Sequence, residues 1–391
     1  MQPFSNPPAT IVVLDEKEPL LPLNSPPVAM ETRTSRAKCW VKQHIPRAFV
    51  YGLFFYIMFN AMNAPFMQQK SNEKDIVIDD SFRLESMQDV VAYNDKVFAS
   101  GVIITCNSDN EPTIPYEGLS EFEFDQETFP RLTIDQKTNT RRHNSFHISK
   151  GNTAVTVDEG LSKAVVKFDL KFDREDLQDV FWIEQTEDKE QGLYSLIIRA
   201  DEDYGQDGCV SIDISVRVPS AAALSTLAIT LANSGLSLGK DLTFEHLAIS
   251  IANGYIEFED GISSGITAFA VANGHVSGNI STLSNDLTSS VANGHNDITV
   301  KQVEQFDQEN IDIKVVVANG HNTVQVPAAF NSQFKLESFV GRRIVESSHP
   351  QGIHRRSGSW GVTSGYYGDD KDTQNTVTLK ASSGSLKLNY A

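Results

Sequence analysis

The sequence predicts an all-β fold: a parallel β-solenoid of ~20-residue coils, preceded by a β-rich region and one N-terminal transmembrane helix. Three observations carry that expectation. A five-residue signature recurs at regular steps in the second half, short apolar alternations of period two fill much of the first, and residues 48–67 hold no charge.

The uncharged run AFVYGLFFYIMFNAMNAPFM is long enough to span a bilayer core at about 1.5 Å rise per residue. Asn60, Asn63 and Pro65 weaken its far end. Five bases precede it closely (Arg33, Arg36, Lys38, Lys42, Arg47), and only Lys70 and Lys74 follow. This bias places the N-terminus in the cytosol and the C-terminus outside the cell or in a lumen, at the plasma membrane or in an endosome or vacuole. An uncleaved signal anchor is expected over a cleaved signal peptide, because the polar leader is long and Pro65 follows the best small residue, Ala64. The organisation read from this is a disordered cytosolic tail (1–47), the anchor (48–67), a linker (68–80), a β-rich ectodomain region (81–209) and the solenoid (210–391).

Charge narrows the partners. The 391 residues carry 51 acids and 33 bases, a net of −18. Residues 1–47 hold six bases and four acids, so the rest of the chain is more acidic still. Such a body repels nucleic acid, and no DNA or RNA partner is expected. In the tail, Glu16 followed by Leu20-Leu21 fits an acidic dileucine sorting pattern, and Cys39 near the membrane is a candidate for palmitoylation. Prolines at 7, 8, 19, 22, 26 and 27 keep that tail extended.

Between residues 75 and 209, alternations at 75–79, 97–105, 164–172 and 193–199 predict strands, and 173–180 predicts one short helix. A small β-sandwich and irregular first coils of the solenoid are both open for this region. Cys106 and Cys209 are the only thiols beyond the anchor. They are a candidate disulfide, with two separate buried thiols as the alternative.

The repeat reads Leu231-Ala232-Asn233-Ser234-Gly235, Ile251-Ala252-Asn253-Gly254-Tyr255, Val271-Ala272-Asn273-Gly274-His275, Val291-Ala292-Asn293-Gly294-His295 and Val317-Ala318-Asn319-Gly320-His321. The Asn-to-Asn steps are 20, 20, 20 and 26 residues, the last absorbing a polar loop at 305–309. Alternation before each signature is that of a strand, and Asn-Gly is read as supplying a turn, because both residues tolerate positive φ. In a parallel stack the same position lies on itself at about 4.8 Å. Asn233, Asn253, Asn273, Asn293 and Asn319 would then form an amide ladder, which accounts for the recurring Asn. Further coils are expected at 334–341 and 377–388, with 347–372 as a long loop, or a lateral insertion next to a coil at Trp360 to Gly365. The final strand, Ser385 to Tyr390, would end the stack and leave it open to self-association through its ends.

The run Ser215-Val216-Arg217-Val218-Pro219, the Asn-Gly series and the closing Ser383-Gly384-Ser385 resemble the putative-adhesin family of β-solenoid domains, known chiefly from bacterial surface proteins, with fungal relatives. The resemblance covers about residues 210–391. It implies a stack of short strands and no established enzymatic activity or cofactor.

The residues themselves argue the same way. A polysaccharide-cleaving β-helix enzyme needs clustered carboxylates on one lateral face. Here Glu257, Glu259 and Asp260 fall in one coil, Asp286 in another and Asp297 in a third, out of register. The column Tyr255, His275, His295, His321 reads as a stacked ladder along one edge. Its three histidines are also the candidate metal column and candidate pH sensors. Asn279-Ile280-Ser281 is a glycosylation sequon. The expected function is a non-catalytic, single-pass membrane protein, adhesin-like or scaffolding, with an unidentified protein or polysaccharide ligand. The alternatives are an endosomal or vacuolar protein sorted by its tail and, remotely, the polysaccharide-cleaving enzyme.

Overall fold

Strand formation follows directly from the pattern of side chains. In Leu193–Ala200 every second residue is buried, and the same alternation runs through Arg131–Gln136 and Ser211–Val218, the period that a pleated strand with one face on a core requires. The computed structural model describes residue 106 and residues 111–137, 146–149, 151–201, 208–304, 310–356 and 359–391. The tail with Glu16, Leu20, Leu21 and Cys39, the anchor 48–67, the linker 68–80, the alternations at 75–79 and 97–105, and the loop 305–309 lie outside the described residues. Among the described residues the fold is all-β, without an α-helix, and no helix is long and apolar enough to cross a membrane.

The first nine strands are β1 (Ile114–Pro115), β2 (Glu121–Phe124), β3 (Arg131–Lys137), β4 (Phe146–Ile148), β5 (Gly151–Val157), β6 (Ala164–Phe172), β7 (Phe181–Asp188), β8 (Leu193–Ala200) and β9 (Gly208–Val218). The helix expected at 173–180 is a three-residue 3-10 turn, Glu175–Leu177. Its segment is a short connection between β6 and β7, too short to offset helix nucleation, and Leu177 is pinned in the core.

Then come β10 (Thr226–Leu238), β11 (Thr243–Leu283), β12 (Leu287–Val303) and β13 (Asp312–Val326), which hold the repeats. They pair parallel and in register: Leu227 faces Leu247, Val271 faces Val291, and Val291 faces Val317. Each such column points into one continuous apolar core. The chain bends within the ladder, at Ala-Asn-Gly. Pairing passes from Leu231↔Ile251 to Asn233↔Asn253 and skips Ala232 and Ala252. At the expected Asn-Gly bends only the glycine uses its tolerance of positive φ. Gly254, Gly274, Gly294 and Gly320 have φ of 146, 143, 140 and 143°, but no repeat Asn has positive φ; among the described non-glycine residues only Asp241 does. Asn is therefore present for its side chain, and Gly alone makes the bend.

The last six strands are β14 (Ser332–Val340), β15 (Arg343–Ser347), β16 (Ile353–Arg355), β17 (Val362–Tyr367), β18 (Thr376–Ser383) and β19 (Leu386–Tyr390). Here spatial order departs from chain order. β18 lies parallel between β13 and β14, with Val377 facing both Ile313 and Phe334. Likewise β19 lies between β13 and β15. The final strand is thus interior rather than the end of the ladder, because the chain first lays down β14–β15, turns back through antiparallel β17 and β16, and then inserts its last repeat. The region 347–372 is accordingly not one long loop; it contains the strands that cover this end.

The other end uses the same device in reverse. β10 pairs parallel with β3 and β5, while β8 and β9, later in the chain, lie beyond them. Antiparallel β7 covers β8, and antiparallel β6, flanked by β1 and β2, covers β9. The sheet of nineteen strands is therefore parallel in the middle, with antiparallel strands at both ends beside the parallel outer strand β15.

Candidate binding surface

The bend aligns three residue columns along one edge. First is the amide ladder. Asn253 Nδ2 donates to Asn233 Oδ1 (2.7 Å), Asn273 to Asn253 (2.8 Å), Asn293 to Asn273 (2.9 Å) and Asn319 to Asn293 (3.0 Å). Asn233 Nδ2 continues it to the carbonyl of Ile148 at 2.8 Å. Opposite the last amide the partner strand carries Ser383, and the ladder stops.

Second is the glycine column. A Cβ on Gly274 would lie 1.6 Å from the Gly254 carbonyl oxygen, and one on Gly294 would lie 1.7 Å from that of Gly274. Close stacking of backbone on backbone, together with positive φ, requires glycine.

Third is the ring column. Tyr255 stacks on His275 with centroids 5.4 Å apart; His275 on His295 and His295 on His321 are each 4.8 Å apart, within 4° of parallel for the histidine pairs. At the head of the column stands Gly235, where a Cβ would strike the Tyr255 ring at 2.3 Å, so its missing side chain makes room for the tyrosine. His275 Nε2 lies 3.2 Å from Glu257 Oε1. Burial, then the neighbouring His275 and His321, push the His295 imidazole below its ordinary value, with Asp297 acting against them.

This geometry is poorly suited to the candidate metal column of His275, His295 and His321. Imidazole lone pairs lie in the ring plane, so parallel rings aim them side by side. Two Zn–N bonds span at most about 4.2 Å, less than the 4.8 Å ring spacing. No group of three or more ligating side chains lies together among the described residues.

Cys106 and Cys209 are joined as a disulfide with Cα atoms 5.8 Å apart, tying residue 106 to the start of β9. Asn279 sits in β11 opposite Thr299, half-buried and next to the bend at Gly278 (φ 147°). Of the carboxylates weighed as an enzyme signature, Asp286 accepts from the Asp312 amide at 2.9 Å.

Sequence reasoning missed two features. Asn296 and Asn322 occupy inward positions that hold Val276 and Leu386 on adjoining repeats, and both are fully buried. Asn296 Nδ2 donates to Asn322 Oδ1 (2.8 Å), Ser289 Oγ to Asn296 Oδ1 (2.6 Å) and Asn322 Nδ2 to the Lys380 carbonyl (3.0 Å). The second is where large apolar side chains are exposed. Leu119 and Trp182 lie at one end of the ladder, and Phe339, Val340 and Trp360 at the other, with none between among the described residues. Phe339 and Trp360 meet edge to face at 5.1 Å. Near β14's opposite terminus, Asn310, Asn331, Asp370 and Asp372 line an open cleft of about 550 Å³.

No family model matches the chain, and no curated protein matches it. Among solved structures it is similar to a "putative cell adhesion protein" from Clostridium sporogenes at 11% identity and TM-score 0.31, covering 71% of this chain and 100% of that one. It is also similar to a "putative adhesin" from Bacteroides fragilis (11% identity, TM-score 0.30, 71% and 99% covered) and one from Parabacteroides merdae (10%, 0.29, 71% and 98%). At such identities and scores the likeness assigns neither fold nor function to this chain.

Proposed function

We propose that this chain is a non-catalytic, adhesin-like or scaffold protein, anchored by residues 48–67 with its N-terminus in the cytosol, whose β-solenoid presents a lateral edge to a polysaccharide or protein. The observation that carries the reading is the ring column. Tyr255, His275, His295 and His321 stack four polar rings along one edge at centroid spacings of 5.4, 4.8 and 4.8 Å. The Asn ladder beneath holds that edge in register by spending its amides on itself. Polar rings repeated along one edge suit a polymer with repeating hydroxyls better than a compact ligand.

The test is retention of purified, detergent-solubilised full chain on a panel of immobilised neutral and anionic polysaccharides, with polymer length measured after incubation. Retention that His275→Ala with His295→Ala weakens at least tenfold is expected. Shortening of any polymer would overturn the non-catalytic reading, and retention unaffected by the double variant would move the site elsewhere. Orientation is checked separately by protease protection of terminal tags in sealed vesicles: exposure of a C-terminal tag sinks the proposed topology.

A further inference from the structure

We infer that the two ends of the ladder are complementary and that copies of this chain associate head to tail through them. The end built from β1, β2, β7 and their connections is strongly acidic: segments 111–130 and 173–190 hold fourteen acids and two bases. The end built from β15, β16 and β17 carries an arginine patch: residues 338–366 hold four arginines and one acid, while Asp369, Asp370 and Asp372 follow on the β17–β18 connection, near the opposite terminus of β14. Arg342, Arg355 and Arg356 are exposed there.

Each end also carries the apolar anchor an interface needs. Trp182 is 42% exposed at the acidic end, and Trp360 is 77% exposed at the basic end. Tryptophan and arginine are the residues that most often dominate interface energetics. Charge at a sheet edge has a simpler use, which is to keep edges apart. That use calls for ends of like sign, since ends of one sign repel in every pairing. Opposite signs instead repel only like ends and attract unlike ones, so the contact is heterologous and leaves a free acidic end and a free basic end on every dimer. Antiparallel β7 and β6 cover β8 and β9 at the acidic end, so no parallel edge continues the ladder there, whereas β15 at the other end pairs parallel with β19 alone among the described strands. Contact with the acidic end therefore runs through side chains rather than through continuation of the parallel ladder.

The experiment is sedimentation velocity on detergent-solubilised full chain over a concentration series, at low and high salt. Association that grows with concentration and weakens between about 0.05 and 0.5 M salt is expected, because screening over the Debye length removes the charge attraction. Two paired variants establish polarity: Arg355→Glu with Arg356→Glu at the basic end, and Glu187→Lys with Glu190→Lys at the acidic end. Each variant alone is expected to sediment as a monomer, and an equal mixture of the two as a dimer, since each keeps one intact end. Trp360→Ala should weaken the wild-type association about tenfold or more with an unchanged circular dichroism spectrum. A wild type that stays monomeric, a mixture that stays monomeric, or association that persists in both paired variants, as contact through the anchor would, overturns the inference. Polymer retention is read on the monomer, so it fails or survives independently.

Discussion

Gly294→Ala tests whether the repeat glycines are there for backbone stacking. Gly294 has φ of 140°, and a Cβ there would sit 1.7 Å from the Gly274 carbonyl oxygen. Holding an L-residue in that conformation costs about 1–3 kcal/mol. Relieving the contact instead means parting Gly294 from Gly274 on one side and Gly320 on the other, the neighbours it is paired with. Each weakened backbone bond forfeits about 0.5–1.5 kcal/mol. The sum is a loss of about 2–5 kcal/mol, read as the shift in urea midpoint by far-ultraviolet circular dichroism. Gly160→Ala is the control: its Cβ would meet only the tip of the Asp158 side chain, at 3.3 Å, without positive φ. It should stay within about 0.5 kcal/mol of wild type. Repeat arrays can unfold in parts, so hydrogen exchange across 287–303 provides a local readout. If Gly294→Ala and Gly160→Ala give the same midpoint and the same exchange, the reading of the glycine column is wrong.

Position within the amide ladder should matter as well. Asn273 donates to one neighbour and accepts from another, whereas Asn319 only donates within the ladder. Asn273→Ala should cost about 1–3 kcal/mol and Asn319→Ala about half that, compared by urea midpoint; equal losses would refute the ladder account. The His295 imidazole is depressed by burial and by His275 and His321. Its unfolded form then binds a proton that the folded form resists, so its contribution is complete above the ordinary imidazole value and is lost as pH falls below it. The melting temperature should fall on acidification from pH 7 to 5, and His295→Phe should flatten that slope; an unchanged slope would assign the loss elsewhere. Finally, the Cys106–Cys209 link closes a separation of 103 residues. By loop-closure entropy its reduction should cost up to about 4–5 kcal/mol, seen as a lower melting temperature with reductant and absent in Cys106→Ser.

Much of the ladder was legible because its determinants are local and repeated. The five Asn positions and the ring column are named by the sequence, and the structure aligns both. Strands β6 and β8 form where period-two alternation predicts them. What was not legible is non-local. Nothing in the alternation of 376–390 says that it slots between β13 and β14 rather than after them, because its partners on both sides present the same parallel edge. Buried Asn296 and Asn322 were hidden for a related reason. An Asn after Gly-His reads as part of a polar turn until the register shows it facing inward, where the facing Asn and the carbonyls of Val316 and Lys380 accept its protons.

The intercalated ends follow from a property of parallel ladders. Every repeat offers the next the same row of amides and carbonyls, so a parallel stack contains no internal signal to stop. Here strand direction reverses at each end, β17 against β14 at one and β7 against β8 at the other, while β15 stays parallel to β19. β18, inserted on the side of β14 away from β17, holds β14 from both sides, and Tyr390 adds a latch to the reversed segment. Its ring stacks on Tyr367 of β17 at 3.9 Å, and its hydroxyl meets Ser332 of β14 at 2.9 Å. Burial, offset in part by the Ser332 bond, pushes that phenol well above its ordinary value, so it stays a neutral hydrogen-bonding group at any physiological pH. A terminus secured in this way frees the end surface from folding duties. The side chains it presents, among them Trp360 with no place in the core, are then available for recognition.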